Sequence, residues 1–215
     1  MEVFITSHTE NIEETIAMAA STCYSKIGNT IRDRDKATQA LIEKILDMGH
    51  YSVLEHGSIT FAISDISRAL SHQLVRHRIA SFSQRSQRYV NENNFTYVIP
   101  ESIQNDPILK SIYESHMSNA KTIYEVLTSN SIPEEDARYV LPNACTTSLV
   151  MTMNVRELHH FFNLRCCTRA QQEIRLLAEA MLKLCKQNWP VLFTSAGASC
   201  VKTGICPEGE KSCLR

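Results

Sequence analysis

Apolar residues recur three and four positions apart in several stretches of the chain, and this spacing is typical of amphipathic helices. Capping residues and prolines indicate where each helix begins. The predicted helices begin near Asn11, at Asp33 or Asp35, at Ser64 or Asp65, at Pro107 and at Pro133, and two more in series cover residues 155–164 and 169–188. The third helix is predicted to lead into a polar loop at residues 81–88.

The same spacing predicts the buried side of each helix. The first helix is predicted to bury Ile12, Ile16, Ala19, Ala20 and Cys23. The second helix is predicted to end at Gly49 and to bury Ala37, Leu41, Ile45 and Met48. The third is predicted to bury Ile66, Ala69, Leu70 and Leu74, and the helix after Pro107 to bury Ile108, Ile112, Ala120, Ile123, Tyr124 and Leu127. Asn154-Val155-Arg156-Glu157 and Thr168-Arg169-Ala170-Gln171 both match the capping-box pattern.

Alternating apolar and polar residues predict strands between these helices. Ile59, Phe61 and Ile63 alternate with smaller or polar residues, which is the pattern of a half-buried strand. Residues 3–6 form a short β-rich opening, and residues 89–99 contain β-formers interrupted by polar residues. No internal repeat or linker-like segment is present. We therefore expect a single domain over residues 1–215, with a Cys-bearing C-terminal tail at about 190–215 that has no periodicity.

The composition is that of an ordinary globular protein. The chain has 215 residues, of which 43% are hydrophobic and 21% charged, and this is enough to bury a core. A formal net charge of −1 argues against a generally basic nucleic-acid binder, so any anion site must be local. No apolar run is long enough to span a membrane, and the first residues do not resemble a signal peptide. We therefore expect a cytoplasmic protein with reduced thiols and no membrane partner.

One interval of the sequence concentrates positive charge. No Asp or Glu occurs between Asp65 and Glu92, so we expect that no nearby carboxylate neutralises the arginines there. The interval contains Arg68, Arg76, Arg78, Arg85 and Arg88, together with serines and glutamines at positions 81–87. Guanidinium groups bind phosphate well, and hydroxyls and amides complete an anion's hydrogen bonds. The pattern predicts a phosphate site, and leaves open whether the phosphate belongs to a nucleotide, a cofactor or a nucleic acid.

Other ligand motifs are weaker. The chain has neither a dinucleotide fingerprint nor a P-loop, and His50, Glu55 and His56 lack the spacing of a zinc motif, so a polar turn is favoured there. Cys200, Cys206 and Cys213 lack the close cysteine pair of structural zinc sites. We assign no metal site and expect a mobile, reduced tail. Cys23, Cys145 and Cys185 are interpreted as core residues.

Arg76-His77-Arg78, followed after seven residues by Ser86, resembles the signature of the flavin-dependent thymidylate synthases, the ThyX family. The resemblance covers about residues 1–190. Further matching segments, in the family's order, are Gly49-His50-Tyr51-Ser52, Leu54-Glu55-His56, Gln73, Ser86-Gln87-Arg88-Tyr89, Ala137-Arg138-Tyr139-Val140-Leu141-Pro142, Asn154-Val155-Arg156, Asn163-Leu164-Arg165, Ala170-Gln171 and Glu173-Ile174.

The resemblance implies an NADPH-dependent methyltransferase that converts dUMP to dTMP. It implies that 5,10-methylenetetrahydrofolate supplies the carbon, that NADPH reduces a bound FAD, and that tetrahydrofolate is released. The implied fold is α+β, with a twisted antiparallel sheet flanked by helices, as in the ThyX-like fold. The implied assembly is a homotetramer with active sites at subunit interfaces. No Cys nucleophile is used in this family.

The resemblance also implies roles for individual residues. The catalytic residues are His50, near the flavin and the transferred carbon, and Arg165, which polarises dUMP. The implied FAD-binding residues are Ser52, Arg76, His77, Arg78, Gln84, Asn154, Arg156 and His160. The implied dUMP-binding residues are Gln73, Arg76, Gln84, Arg85, Ser86, Gln87, Arg88, Arg138 and Arg165.

Physical alternatives remain open for some of these residues. Arg165 falls at the joint between the last two helices, where a side chain can project into a cleft, but it can equally offset a helix dipole. Arg138 can pair with Glu134 or Glu135. The family often has Glu at position 84 and Gly at position 87; a positive φ would strain Gln87.

Two other functions compete with the flavin-dependent synthase. A non-enzymatic nucleic-acid binder would be expected to be basic and to include lysines in its patch, and lysine is absent from residues 68–88. A different flavoprotein could use the same arginines for a pyrophosphate without transferring a methyl group.

Overall fold

The computed structural model describes residues 1–22 and 35–213. Cys23, Asp33 and the side chain of Ala37, which belong to the predictions above, lie outside what it describes. Its four strands are β1 (Glu2–His8), β2 (Ser58–Ser67), β3 (Ala80–Gln84) and β4 (Thr146–Asn154). They form one open antiparallel sheet with the order β1-β2-β4-β3. With the helices, this confirms the α+β class.

Helices connect and follow these strands. The described α-helices are α1 (Ile12–Thr22), α2 (Asp35–Asp47), α3 (Arg68–Leu74), α4 (Glu101–Gln104), α5 (Pro107–Ser129), α6 (Glu134–Ala137), α7 (Val155–Arg165), α8 (Gln172–Asn188), α9 (Pro190–Phe193) and α10 (Ser199–Thr203). Short 3-10 helices cover Tyr51–His56, Arg138–Val140 and Gly209–Lys211. None of the helices in the described ranges is long and apolar enough to cross a membrane.

The chain divides into two compact units. The first contains residues 1–2, 63–76 and 82–150, and the second residues 3–62, 77–81 and 151 onward. The chain passes from one unit to the other within each of β1, β2, β3 and β4, and again between Arg76 and His77. The expected single domain stays a prediction.

The core of the first unit lies beside α5. Phe95, Ala120 and Cys145 are buried there, with Tyr97 and Leu141 packed against them. Asp106 caps α5 by accepting hydrogen bonds from Ile108 N and Leu109 N, and Pro107 fits the first turn because no backbone donor is needed there.

The core of the second unit is built from alternate residues of β2 and from α7, α8 and α9. Ile59 and Phe61 are fully buried, as the strand pattern predicts. Helix α7 packs against α8, and α8 against α9. Leu192 and Phe193 of α9 are fully buried, and the ring N–H of His159 donates to Leu192 O at 2.9 Å. The predicted mobile tail is therefore wrong at Leu192, Phe193, Ala196 and Ala198, which are buried.

Several local predictions are wrong. The third helix begins later than predicted, because Ile66 lies in β2, which continues to Ser67. The Oγ of Ser67, not Ser64 or Asp65, caps α3 by accepting from Leu70 N at 3.0 Å. The predicted polar loop contains β3, a strand of polar and small residues. The cap of α8 is Gln171, whose Oε1 accepts from Glu173 N, and Thr168 is not a cap.

Predicted burial fails at some apolar positions. Ala120 and Tyr124 of α5 are buried as predicted, but Ile108, Ile112 and Ile123 are 73%, 62% and 41% exposed. Met48 is exposed too, because α2 ends at Asp47. In the first helix Ala17 is buried and Ala19 only half-buried.

Candidate active site

His77 lies at the centre of a buried hydrogen-bonded group in the second unit. It is 4% exposed, and its Nδ1 lies 3.0 Å from Oε1 of Glu157. The Nε–H of Arg165 donates to Nε2 of His77 at 3.1 Å. Since Nε2 accepts, the ring hydrogen lies on Nδ1 and donates to the carboxylate. The network therefore assigns His77 the neutral Nδ1–H tautomer.

Electrostatic effects also favour the neutral form of His77. Burial lowers the pKa of His77 below its ordinary 6.5, and the charge of Arg165 lowers it further, while the hydrogen bond that His77 donates to Glu157 opposes both. The rings of His160 and Phe161 contact His77 edge-on at centroid distances of 5.8 and 5.0 Å. A buried imidazole beside a guanidinium stays neutral because a second positive charge would be costly there.

Arg165 is the last residue of α7, where the sequence predicted the helix joint. The residue is half-buried, and burial lowers the pKa of its guanidinium from the ordinary value. Arginine nevertheless keeps its charge in proteins. A fixed cation held by a neutral histidine can stabilise negative charge on a bound ligand. The helix-dipole interpretation also fits this position, and the two are compatible.

Ring and carboxylate atoms of His77, Glu157 and His160 lie within 4.8 Å of one another, close enough to hold a metal ion. Both nitrogens of His77 are already engaged, however, and the Arg165 guanidinium donates to one of them. A neighbouring cation opposes metal binding, so the geometry favours the hydrogen-bonded group.

A cavity of about 320 Å³ in the second unit brings together His50, Ser52 and Arg156, three residues implied by the resemblance. The remaining lining residues are Ala20, Ile45, Gly49, Tyr51 and Val53. Hydroxyl, imidazole and guanidinium groups next to an apolar wall suit a ligand with both an anionic part and an apolar ring. Gly49, with φ +71°, makes the turn into this wall.

Two further implied FAD residues lie near the start of α7. Asn154 caps the helix, its Oδ1 accepting from Glu157 N at 2.8 Å, which confirms half of the predicted capping box. The other half is wrong, because the Glu157 carboxylate binds His77 instead of reaching back. Arg156 pairs with Glu55, and both side chains are about half exposed. Arg78 and His160 are exposed.

A second cavity, of about 310 Å³, lies within the first unit. Its lining contains the implied dUMP residues Gln87 and Arg138, and with them Arg68, His72, Tyr139, Leu141, Pro142 and Asn143. No carboxylate lines it, so the lining is cationic. Nε2 of Gln87 is buried without a hydrogen-bond partner, which makes it an available donor for a ligand. Gln87 is not among the residues with positive φ, so replacing the family's Gly causes no backbone strain here.

Two arginines of the predicted unneutralised cluster are in fact paired. Arg85 Nη2 lies 3.2–3.3 Å from the carboxylate oxygens of Glu92 and donates to Thr146 O at 2.8 Å. Burial raises the pKa of Glu92, whereas Arg85 and Arg68 lower it. Arg88 binds Glu135 at 2.8 Å. The expectation that no carboxylate reaches these arginines is therefore wrong, because tertiary contacts supply acids from outside the interval.

The other implied substrate residues are spread through the first unit. Nε2 of Gln84 donates to the hydroxyls of Ser71 and Thr147 at 3.0 and 3.3 Å, and a carboxylate could not donate in this way. Ser86 accepts from Arg88 N at 3.2 Å. Arg138 makes no ion pair with Glu134 or Glu135 in the described chain; its Nε donates to Glu135 O. Gln73 is half-buried and Arg76 exposed.

Three cysteines are poor nucleophiles. Cys145, Cys166 and Cys185 are buried, and burial raises the pKa of each thiol to about 12. A thiolate is the reactive form, so attack on a pyrimidine by these residues is disfavoured. The predicted core positions of Cys145 and Cys185 are confirmed.

Comparison with known proteins identifies the family. The family model described as "Thymidylate synthase complementing protein" matches residues 4–191. The chain is 48% identical to the flavin-dependent thymidylate synthase of Geobacter sulfurreducens, over 99% of this chain and 94% of that protein. It is 45% identical to the enzyme of that name from Clostridium tetani (99% and 93% covered) and 41% identical to that from Thermococcus onnurineus (98% and 90%). The chain therefore belongs to the family of flavin-dependent thymidylate synthases.

Proposed function

We propose that this enzyme catalyses the reaction of dUMP, 5,10-methylenetetrahydrofolate, NADPH and a proton to give dTMP, tetrahydrofolate and NADP⁺. The observation that carries the proposal is the half-buried guanidinium of Arg165, held at 3.1 Å by a neutral His77. Against the uracil carbonyl and N3, this charge stabilises the negative charge that develops as C5 becomes nucleophilic. One preorganised donor of this kind is typically worth about 3–4 kcal/mol of transition-state stabilisation.

The cavity around His50 fits part of FAD. When bound, FAD would pass the reducing equivalents of NADPH to the carbon that becomes the methyl group of dTMP. Arg156 and Ser52 supply donors for phosphate, and Val53 and Ile45 supply an apolar wall. Ligand pockets range from about 300 to 1,000 Å³, so a cavity of about 320 Å³ encloses only a portion of a dinucleotide. Arg76, His77, Arg78, Gln84, Asn154 and His160 are proposed as further FAD residues.

The cationic cavity in the first unit fits a nucleoside monophosphate. Arg138 is proposed to bind the dUMP phosphate, and the unpaired amide of Gln87 to donate to the ligand. Arg85 is already held by Glu92, so its proposed contribution is through the backbone or by fixing the loop. Gln73, Arg76, Gln84, Ser86, Arg88 and Arg165 complete the proposed dUMP residues.

A homotetramer with active sites at subunit interfaces is proposed as the assembly. The exposed apolar side chains of α5, among them Ile108 and Ile112, support it because such a surface favours burial against another copy. The small size of the cavity around His50 supports it as well. The cytoplasmic location stays a prediction.

Absorption spectroscopy of the purified protein tests the flavin part of the proposal. We expect a yellow protein whose flavin absorbance shifts when dUMP is added. A colourless protein that also fails to take up added FAD would contradict it.

A further inference from the structure

A continuous series of hydrogen bonds runs along α7 and through His77. Glu157 N donates to Asn154 Oδ1 at 2.8 Å, His77 Nδ1–H donates to Glu157 Oε1 at 3.0 Å, and Arg165 Nε–H donates to His77 Nε2 at 3.1 Å. Glu157 and Arg165 lie about two helical turns apart on α7. His77 therefore bridges one end of the helix to the other.

We infer that Glu157 is a positioning residue for the reaction: it holds His77 in the tautomer whose Nε2 accepts from Arg165, and thereby orients the Arg165 guanidinium. The inference rests on the proposed role of Arg165 in activating dUMP. Glu157 is too deeply buried, at 6% exposure, to act as an acid or base from solvent.

The tautomer matters because Nδ1 of His77 must donate to Glu157, whereas Nε2 must accept from Arg165. An ionised carboxylate only accepts, so it keeps the ring hydrogen on Nδ1 and leaves a lone pair on Nε2. Without that acceptor, the hydrogen can move to Nε2. Two N–H donors, on His77 and Arg165, would then face each other and could form no hydrogen bond. Water cannot easily repair the loss, since His77 and Glu157 are both buried. The guanidinium would then lose a fixed anchor and its preorganisation.

The test uses FAD-loaded enzyme and the variants Glu157→Ala and Glu157→Gln. Glu157→Ala removes the acceptor, so we expect kcat to fall about 10- to 100-fold, the usual cost of losing a supporting contact to a functional group. FAD content and the KM for dUMP should stay near the wild-type values, because Glu157, His77 and Arg165 line neither the cavity around His50 nor the cationic cavity. Glu157→Gln keeps an acceptor oxygen, so its kcat should stay within about fivefold of wild type.

The pH profile separates positioning from a structural role. The charged groups that face His77 are Glu157, His160 and Arg165, and among these the carboxylate raises the pKa of His77. Protonated His77 cannot accept from Arg165, so the acid limb of kcat follows this pKa. We therefore expect the acid limb of Glu157→Gln to lie at lower pH than in wild type. Glu114→Gln, in an exposed pair with Lys110, is the charge-matched control and should match wild type.

The outcomes are distinguishable. If wild type forms no dTMP, the proposed function fails, and the positioning role that rests on it fails with it. If wild type is active, an undiminished kcat in Glu157→Ala, or a loss explained by missing FAD, overturns the positioning role. If Glu157→Ala does not fold, Glu157→Gln decides alone, and an unmoved acid limb overturns the inference.

Discussion

The Nε–H of Arg165 donates to Nε2 of His77 at 3.1 Å, so the last residue of α7 is held by a residue of the Arg76-His77-Arg78 segment. The sequence suggested separate roles for the two residues, one toward dUMP and one toward FAD. The contact joins them in one hydrogen-bonded group.

Arg165→Ala should reduce kcat for dTMP formation about 10²- to 10³-fold, as expected when one preorganised donor to a developing charge is lost. The FAD content should not change, because Arg165 does not line the cavity around His50. Steady-state kinetics at saturating dUMP, with flavin measured by absorbance, checks both points. Arg169→Ala is the matched control, since Arg169 is exposed and paired with Glu208. Undiminished turnover in Arg165→Ala would show that Arg165 does not activate dUMP.

His77 should make the protein less stable in acid. Its pKa is lowered on folding, so the unfolded chain binds the proton more tightly and stability is lost as pH falls below about 6.5 toward the folded-state value. Each unit of lowering is worth about 1.4 kcal/mol of unfolding free energy. Urea denaturation between pH 8 and 5 should show a smaller loss in His77→Gln than in wild type or in the exposed-residue control His116→Gln. Equal losses of unfolding free energy in all three proteins would refute the lowered pKa of His77.

Arg138→Ala should raise the KM for dUMP about 10- to 100-fold, because hydrogen bonds to charged groups contribute about 1.5–3 kcal/mol. The effect should shrink at high salt, since phosphate recognition is electrostatic. The FAD affinity should remain as in wild type. Lys110→Ala, on α5, serves as the control cation of the same unit. A KM that stays at the wild-type value would exclude the cavity lined by Arg138 as the phosphate site.

Arg156→Ala should weaken FAD binding about tenfold or more through loss of a charged donor. The stability of the fold should change by less than about 1 kcal/mol, because the Arg156–Glu55 pair is half exposed and surface pairs contribute little. Glu55→Gln removes the ion pair and keeps the guanidinium, so it should retain FAD. Quenching of FAD fluorescence on titration measures both affinities. Equal affinities in the two variants would argue against a direct role for Arg156.

Sequence patterns located most of the regular structure but not the orientation of every face. The alternation in β2, the proline that opens α5 and the proline just before α6 identified these elements correctly. The strand β3 was missed because its serines and glutamine have the composition of a loop. Periodicity also placed Ile108 and Ile112 inside, although apolar spacing cannot tell a core face from an exposed one.

Only those parts of the candidate site could be predicted in which a residue type by itself indicates its chemical role, as arginine indicates anion binding. The arginines were found from their charge, but Glu92 was not assigned to Arg85, since that pairing depends on tertiary structure. Glu157 was interpreted as half of a capping box, because the local motif has the same spacing. The sequence did indicate that Glu157 lies on the same face of α7 as Phe161 and Arg165, because these residues are four positions apart. In the structure Glu157 and Phe161 both contact His77.

Transfer of labelled carbon tests the proposed reaction most directly. Purified protein would be incubated with dUMP, FAD, NADPH and methylenetetrahydrofolate labelled at the methylene carbon, and the nucleotides separated by chromatography. We expect label in dTMP, and none when NADPH or dUMP is left out or when the bound FAD has been removed and not restored. Unlabelled nucleotide from protein that carries FAD would contradict it.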